Sequence, residues 1–275
     1  MGFCISLRWN GIGDLVVVGS LLRGLASDHP GADISLYVNP GWLKWGQLFW
    51  DQVFELDAHT PQGKVYELGT PGLNEVELVL KEYMEDVNRH ELWADACETQ
   101  AIPYKIEIKE EVRAKARQFL VDLGLDLQQP ILYFSPMTVK NRNWPLPLWH
   151  QLEKAINPDG NYQILIGTGA FREWASQEDF EAFNTPFQLG KHPPEFLLAV
   201  LEQVSLVVSN DSGFAHIGGL LNIPTVALCS VYQGWKVFGW YDSVHYLQAP
   251  ENRIADLPLS PVVDLVSSLL APQPN

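Results

Sequence analysis

The fold of this chain is decided by residues 204–231, which read VSLVVSNDSGFAHIGGLLNIPTVALCSV. The apolar run 206–208 is short and rich in β-branched residues, which predicts a buried strand, and a second such run begins at Thr225 after Pro224. Between the two runs lie the polar turn 210–213 and a helix of small residues. The stretch therefore predicts a strand–turn–helix–strand unit. Its turn lies at the carboxyl end of the first strand, where ligands bind in open α/β sheets.

This polar turn has the features of a phosphate-binding site. Either Asp211 or Ser212 is able to cap the following helix, and the N–H groups of Ser212 and Gly213 lie at its positive end. The helix also contains Gly218 and Gly219, which let a backbone or a ligand approach closely. A capped helix in an ordinary βαβ unit is the alternative interpretation, and for an isolated Asp-Ser-Gly it would be the better one.

Composition and charge restrict the class of protein. The chain has 275 residues, 47% hydrophobic and 19% charged, which is typical of a globular protein with one large or two smaller domains. Its formal charge of −15 argues against nucleic acid and against an anionic membrane as partners, because both require basic surfaces. No apolar run approaches the roughly 20 residues that span a bilayer. The three cysteines, Cys4, Cys97 and Cys229, are scattered, so we expect buried reduced thiols in a cytoplasmic protein with at most peripheral membrane contact.

The N-terminal half opens with a second unit of the same kind. Residues 3–8 predict a strand, the turn 9–14 follows, and an apolar helix leads to a strand near 34–38. The turn contains Gly-x-Gly, but Val16 occupies the third glycine position of the dinucleotide fingerprint. Asn39 stands where an acidic residue would end the second strand, so the residues do not favour NAD binding.

The middle of the N-terminal half has weaker patterns. It predicts a short strand at 53–56 and one or two helices within 72–100. Trp42, Trp45 and Trp50 suit either core packing or stacking on a sugar or lipid, and their helical spacing favours the core.

The C-terminal half predicts a second parallel α/β sheet. A charged amphipathic helix at 109–123 precedes it, and we place the boundary near residue 128, with domains over 1–128 and 129–275. Apolar strands then recur, separated by helical segments. They are predicted at 131–135, 162–166, 186–189, 205–208, 224–228 and 244–247. The last helix is expected near 260–270.

Three motifs, in chain order, resemble glycosyltransferase family 9, the group that includes the lipopolysaccharide heptosyltransferases. Arg8, Gly13 and Asp14 fill the places of its N-terminal R-x-x-x-[IL]-G-D pattern. Residues 142–145, RNWP, match its [KR]-x-W-P turn, and residues 211–216 match its D-[ST]-G-x-x-H signature. The resemblance implies a GT-B fold: two Rossmann-like parallel-sheet α/β domains facing across a cleft. The N-terminal domain here is shorter than is usual, and the fold would return the last helix to it.

The resemblance also implies an activity: an inverting, metal-independent glycosyltransferase that moves a sugar from a nucleotide-diphosphate donor to an acceptor hydroxyl. Asp14 would be the catalytic base; a helix-start carboxylate favoured by the helix dipole is the alternative role. Arg142 would neutralise the leaving diphosphate, or Lys140 would do so if the loop register shifts. The partners expected are a nucleotide-sugar donor and a saccharide or glycolipid acceptor.

Donor-binding residues follow from the same resemblance. They are Gly13, Lys140, Glu173, Asp211, Ser212, Gly213 and His216. Glu173 would hold the ribose, although a glutamate in a first helical turn is common. His216 is either a donor near the phosphates or a helix histidine that orients Asp211. We expect no metal and no cofactor, because the sequence has no Asp-x-Asp motif and no His/Cys cluster with ligand spacing.

Two other functions stay open on the sequence. A non-catalytic nucleotide-sugar-binding protein would account for the short N-terminal domain. A GT-B nucleotide-sugar epimerase would need further acid and base residues, which the sequence does not reveal.

Overall fold

A computed structural model of the chain describes residues 2–7, 11–56, 58–68, 86–136, 138, 142–168, 186–188 and 192–271. The chain divides into two compact units. The first comprises Met1–Ile106 with Trp235–Trp240, and the second comprises Glu107–Gly234 with Tyr241–Asn275. Among the residues described, each unit has one sheet, and all strand pairs in both sheets are parallel. The predicted class, two Rossmann-like α/β domains, is confirmed.

The first unit has a four-stranded sheet in the order β3–β2–β1–β4. The strands are β1 Gly2–Leu7, β2 Asp33–Val38, β3 Val53–Glu55 and β4 Lys64–Leu68. The helices are α1 Ile12–Asp28, α2 Leu43–Phe49 and α3 Arg89–Ala96, and a 3-10 turn covers Pro40–Trp42. The first three strands confirm the sequence prediction, whereas β4 was not predicted.

Helix α1 is held by an aromatic side chain and a half-buried cation. Tyr104 donates its hydroxyl to the carbonyl of Val16 at 2.9 Å, and a Cβ on Gly19 would lie 2.4 Å from that hydroxyl. The guanidinium of Arg23 lies 3.9 Å from the centre of the Tyr104 ring and donates to the carbonyl of Phe49 at 2.9 Å. Glycine at position 19 is therefore required by packing.

The three tryptophans near β2 lie at the margin of the core. Trp42, Trp45 and Trp50 are all half-buried. Trp50 is anchored, because its indole N–H donates to the carbonyl of Ile34 at 2.7 Å. The core role predicted for them therefore holds only in part.

The second unit has a six-stranded sheet in the order β10–β9–β8–β5–β6–β7. The strands are β5 Ile131–Ser135, β6 Gln163–Thr168, β7 Pro186–Gln188, β8 Leu206–Asn210, β9 Thr225–Cys229 and β10 Val244–Gln248, at the predicted places. Its helices are α4 Glu110–Asp122, α5 Leu146–Ile156, α6 Pro194–Leu201, α7 Gly213–Leu220, α8 Gly234–Phe238 and α9 Leu259–Leu270. Helix α8 crosses the division: Gly234 belongs to the second unit, and the rest of the helix belongs to the first. This strand order is the Rossmann order, and it reverses direction between β5 and β8.

The core of the second unit contains two fully buried tryptophans. Trp144 and Trp149 are 1% and 0% exposed, with ring centres 5.5 Å apart. The indole N–H of Trp144 donates to the carbonyl of Leu257 at 2.9 Å, ahead of α9. On α9 itself, Val262 and Val266 complete the same cluster. Trp144 is therefore structural.

The division of the chain differs from the sequence-based boundary near residue 128. Helix α4 belongs to the second unit, where Arg113 forms two hydrogen bonds with Glu202 at 2.7 and 3.0 Å. Phe119 also packs edge-on against Phe196, with ring centres 5.4 Å apart. These contacts join residues 89 and 77 positions apart in the chain, so local sequence pattern does not reveal them.

A short segment far along the chain also belongs to the first unit. Helix α9 packs in the core of the second unit, whereas Trp235–Trp240 belongs to the first. There Asn88 donates from Nδ2 to the carbonyl of Trp235 at 3.1 Å. The His90 ring stacks on Trp240 with centres 4.8 Å apart.

All three cysteines are free and buried, as predicted. Cys4 lies in β1 and Cys229 in β9. Burial raises the pKa of the Cys97 thiol to about 12, so this thiol stays protonated and unreactive at neutral pH.

Candidate functional site

The two turns that carry the predicted donor residues of the second unit follow adjacent strands. β5 and β8 are neighbours in the sheet, with Ser135 opposite Ser209. Because both strands run in the same direction, the turns that follow them lie at the same edge. This is also the point where the strand order reverses, which is the usual ligand position in such sheets.

Asn210 fastens the turn after β5 to the end of β8. It is fully buried, donates from Nδ2 to the carbonyl of Pro136 at 2.6 Å, and accepts the N–H of Trp144 at 3.1 Å. Thr138 adds a second tie, because its hydroxyl donates to the carbonyl of Asp211 at 3.2 Å. Both ends of the turn are therefore held against β8. Neither Asn210 nor Thr138 is among the site residues predicted from the sequence. The sequence feature that could have indicated Asn210 is a polar residue at the end of an apolar strand.

Asp211 and Arg142, two of the predicted site residues, are brought together. Arg142 donates from Nη1 to Oδ2 of Asp211 at 3.1 Å, and Asp211 is 5% exposed. The guanidinium also lies 5.7 Å from the centre of the Tyr232 ring. Among the residues that the structure describes, Nε and Nη2 of Arg142 make no hydrogen bond, so the pair leaves donors for an anion.

Ser212 caps helix α7. Its hydroxyl accepts the N–H of Phe214 at 3.3 Å and lies 2.9 Å from the hydroxyl of Ser209. Of the two caps allowed by the sequence, the structure selects Ser212, and this leaves Asp211 to pair with Arg142. Gly213 is the first residue of the helix, so its N–H belongs to the group of donors without helical partners.

His216 has one partner that the sequence did not predict. It is buried, and its Nδ1 lies 3.2 Å from the hydroxyl of Tyr241, just before β10. Neither predicted alternative included this contact.

The glycines of α7 are explained by packing. A Cβ on Gly218 would lie 2.1 Å from Oγ1 of Thr225, and a Cβ on Gly219 would lie 2.4 Å from the ring of Tyr241. A close approach is present at both positions, but the groups that approach are protein side chains and not the backbone or ligand that the sequence analysis expected.

In the first unit, Asp14 lies near the carboxyl end of β1, where the order β3–β2–β1–β4 changes direction. It is half-buried, and its Oδ2 accepts the N–H of Gly11 at 2.8 Å. The helix-start role is therefore present. Gly13 is buried in the same first turn.

Three residues of the predicted set lie outside the described residues: Arg8, Lys140 and Glu173. Among the residues that the structure describes, no three His, Cys, Asp or Glu side chains are grouped so as to hold a metal ion. Within the same ranges no helix combines the length and the apolar character needed to cross a bilayer.

The architecture of the two sheets is that of the GT-B glycosyltransferases. Residues 80–255 match the model of glycosyltransferase family 9 (heptosyltransferase), and the chain belongs to this family.

Individual relatives agree with this assignment. Lipopolysaccharide heptosyltransferase 1 of Escherichia coli (strain K12) is 25% identical over 157 residues, which are 57% of this chain and 49% of that enzyme. The match thus spans about half the length of this curated relative. Among solved structures, the glycosyl transferase family 9 from Veillonella parvula DSM 2008 superposes with a TM-score of 0.75 at 17% identity, covering 97% of both chains. The E. coli ADP-heptose LPS heptosyltransferase II superposes with a TM-score of 0.74 at 17% identity, covering 98% of both chains.

Proposed function

We propose that this chain is an inverting glycosyltransferase that moves a sugar from a nucleotide-diphosphate donor to a hydroxyl of a saccharide or glycolipid acceptor. The observation that carries the proposal is the Arg142–Asp211 pair beside the Ser212-capped start of α7, in a chain that belongs to family 9. Domain roles follow as part of the proposal. The second unit binds the donor, and the first unit supplies the base.

The donor's diphosphate binds at the N-terminus of α7. The N–H groups of Ser212 and Gly213 point along the helix dipole toward an anion. Asp211 alone would repel a diphosphate, but Arg142 neutralises its carboxylate and keeps Nε and Nη2 for the ligand. When the bond between the sugar and the diphosphate breaks, both electrons stay on the diphosphate. The same donors then stabilise the added charge.

Asp14 is the proposed base. The acceptor oxygen attacks the anomeric carbon from the side opposite the diphosphate, which inverts the configuration, and its proton passes to Asp14. Because a carboxylate is a weak base for an alcohol, this step requires proton transfer and bond formation to be concerted. The N–H of Gly11 holds one carboxylate oxygen and thereby orients the group.

We infer that the donor is an ADP-linked sugar of the heptose type. The support is the family, whose description names heptosyltransferases, and the E. coli relative described as acting on ADP-heptose. Gly13, Lys140, Glu173 and His216 stay predicted donor contacts. The buried free cysteines support a reducing compartment, and we propose that the reaction takes place in the cytoplasm without a metal.

A nucleotide titration tests this function. Thermal unfolding of the full chain is followed with ADP, GDP, UDP, CDP and dTDP. A ligand at 100 times its Kd adds about 2.7 kcal/mol, which raises Tm by a few degrees. We expect ADP to stabilise the chain, and Arg142→Ala to weaken the effect. No response to any nucleotide would refute the proposal. Transfer assays after dialysis against EDTA test metal independence, and the stereochemistry of the product tests inversion.

A further inference from the structure

The turn that follows β9 brings an aromatic ring to the arginine of the candidate site. The guanidinium of Arg142 lies over the ring of Tyr232, 5.7 Å from the ring centre. A guanidinium within about 6 Å of a ring centre is attracted by the negative face of the ring. Both side chains are half-buried, so water screens this attraction only in part.

The guanidinium therefore has two contacts of different kinds. Its Nη1 donates to Oδ2 of Asp211 at 3.1 Å, and the Tyr232 ring lies against the planar group. A single hydrogen bond to a carboxylate fixes one nitrogen but leaves the plane of the guanidinium free to turn. Because a long arginine side chain has many rotamers, holding that plane requires a second contact. The ring supplies it.

The turn that carries Tyr232 is held at both ends by β10. The carbonyl of Ser230 accepts from Nε2 of Gln248 at 2.7 Å, and Oε1 of the same glutamine accepts the N–H of Gly234 at 3.1 Å. Gly234 is buried, and a Cβ added to it would lie 2.4 Å from the ring of Tyr246. Tyr232 thus stands midway along a turn whose two ends are fixed.

The turn after β9 also lies at the same sheet edge as the start of α7. Strands β8 and β9 are parallel neighbours, and the N–H of Asp211 donates to the carbonyl of Leu228 at 2.9 Å. Asp211 directly precedes the cap residue of α7. Carboxylate, guanidinium and ring therefore form a chain of contacts that begins beside the helix cap.

We infer that Tyr232 is a positioning residue, whose ring holds the Arg142 guanidinium in the orientation that receives the diphosphate of the donor. The inference rests on the proposed function, because it requires a diphosphate at the start of α7. An arginine that is already held loses less side-chain freedom when the anion binds, so the anion binds more tightly. The attraction is between ring and cation and does not depend on the tyrosine hydroxyl.

Calorimetric titration of the full chain with ADP tests the inference, with the wild type, Tyr232→Phe and Tyr232→Leu compared. Tyr232→Leu removes the ring, and we expect the Kd for ADP to rise by about threefold or more, which is the size of a cation–π contact. Tyr232→Phe keeps the ring and should keep the wild-type Kd. A phenylalanine variant as weak as the leucine variant would mean that the hydroxyl contacts the ligand, and the positioning role would be wrong.

A double-mutant cycle on the ligand-free chain tests the contact itself. The equilibrium constant of unfolding is measured in urea for Tyr232→Leu and Arg142→Ala, singly and together. We expect Tyr232→Leu to raise this constant more in the wild type than in the Arg142→Ala background, by about twofold or more. Additive effects of the two substitutions would show that the ring does not hold the arginine.

Tyr162→Leu is the matched control. Tyr162 is also a half-buried tyrosine of the second unit, but it precedes β6 and so lies at the opposite edge of the sheet, packed against the core cluster. Its loss should leave the Kd for ADP unchanged and should be additive with Arg142→Ala. A rise in Kd equal to that of Tyr232→Leu would show a general effect of lost packing and would refute the inference.

The outcomes separate this inference from the proposed function. If the wild type does not bind ADP, both fail. If Arg142→Ala weakens ADP binding and Tyr232→Leu does not, only the inference fails, whatever the cycle shows. If Tyr232→Leu does not fold, Tyr232→Met, which keeps a long apolar side chain without a ring, decides by the same criteria.

Discussion

Arg142 and Asp211, 69 residues apart in the chain, form a 3.1 Å ion pair at the point where the six-stranded sheet reverses its strand order. The carboxylate is almost completely buried, with 6% of its side chain exposed, while 25% of the arginine side chain is exposed. The charge of the buried Asp211 is therefore neutralised by the more exposed Arg142. In the proposed function, an anion at the helix start would meet the arginine and two backbone N–H groups, because the carboxylate is already paired.

Removing the arginine should affect stability as well as binding. Arg142→Ala leaves the charge of Asp211 buried and unpaired, and we expect the free energy of unfolding to fall by about 1–3 kcal/mol. Adding Asp211→Asn removes that charge, so the double variant should recover most of the stability without recovering ADP binding. Urea unfolding and ADP titration measure the two quantities.

A surface arginine provides the control for this pair. Arg253 forms ion pairs with Glu251 and Asp256, but 67% of its side chain is exposed. Exposed pairs contribute about 0–1 kcal/mol, so Arg253→Ala should change stability little and leave ADP binding intact. Equal losses for the two arginines would contradict the special role of the buried carboxylate.

The proposed base is tested by Asp14→Asn. The amide keeps an oxygen that accepts the N–H of Gly11, so the helix start is preserved, but it takes no proton. We expect kcat to fall by about 10²–10⁴-fold with the Kd for ADP unchanged.

Helix α1 also carries a control for the Asp14→Asn variant. Asp28→Asn changes an exposed carboxylate at the end of α1 that accepts the hydroxyl of Thr99. It should leave kcat unchanged. Full turnover in Asp14→Asn would remove the base from the mechanism. Retained donor binding in a wild type without transferase activity would instead favour a binding protein.

The hydrophobic pattern of the sequence is sufficient to predict the strands that are buried on both faces. β5, β8 and β9 are buried at every position and read as continuous apolar runs. β4 was missed because it is an edge strand with Lys64 and Glu67 exposed and no apolar run. The composition of such a strand does not differ from that of a loop.

The residues of the candidate site also fall into those that local sequence motifs predict and those that only the folded structure reveals. Asp211, Ser212 and Arg142 stand in local motifs, so the sequence contains them. Asn210 acts through Pro136 and Trp144, at separations of 74 and 66 residues, and only the folded sheet brings these groups together. The contact between His216 and Tyr241 was not predicted for the same reason, since the two residues are 25 positions apart.

Acid should destabilise the first unit through His90. Burial, with a smaller effect of Arg89, lowers the pKa of this histidine to about 3 from its ordinary 6.5. Between pH 6.5 and pH 3, His90 therefore binds a proton in the unfolded chain but not in the folded chain. The contribution of the neutral histidine to the free energy of unfolding is complete above pH 6.5. It is lost progressively as the pH falls toward 3. At pH 5 the loss is about 2 kcal/mol.

His90→Gln isolates this contribution from that of the many carboxylates. Its free energy of unfolding should depend less steeply on pH between 6.5 and 4 than that of the wild type. His245→Gln, at an exposed histidine of β10, should keep the wild-type slope. Parallel curves for wild type and His90→Gln, measured by urea unfolding at each pH, would show that His90 titrates normally in the fold.

A methyl group added to helix α7 should disturb the proposed donor site by shifting the helix or the ring packed against it. Gly219→Ala places a Cβ 2.4 Å from the ring of Tyr241, the partner of His216, so the ring or the helix must shift. Overpacking of this kind costs about 1–3 kcal/mol in the free energy of unfolding. Because α7 begins at the proposed diphosphate site, we also expect weaker ADP binding. Gly41→Ala is the control, since its added Cβ meets nothing within 4 Å, and its stability should stay within about 0.5 kcal/mol of wild type. A Gly219→Ala variant as stable as Gly41→Ala in urea unfolding would mean that Tyr241 moves aside freely and does not hold His216 in place.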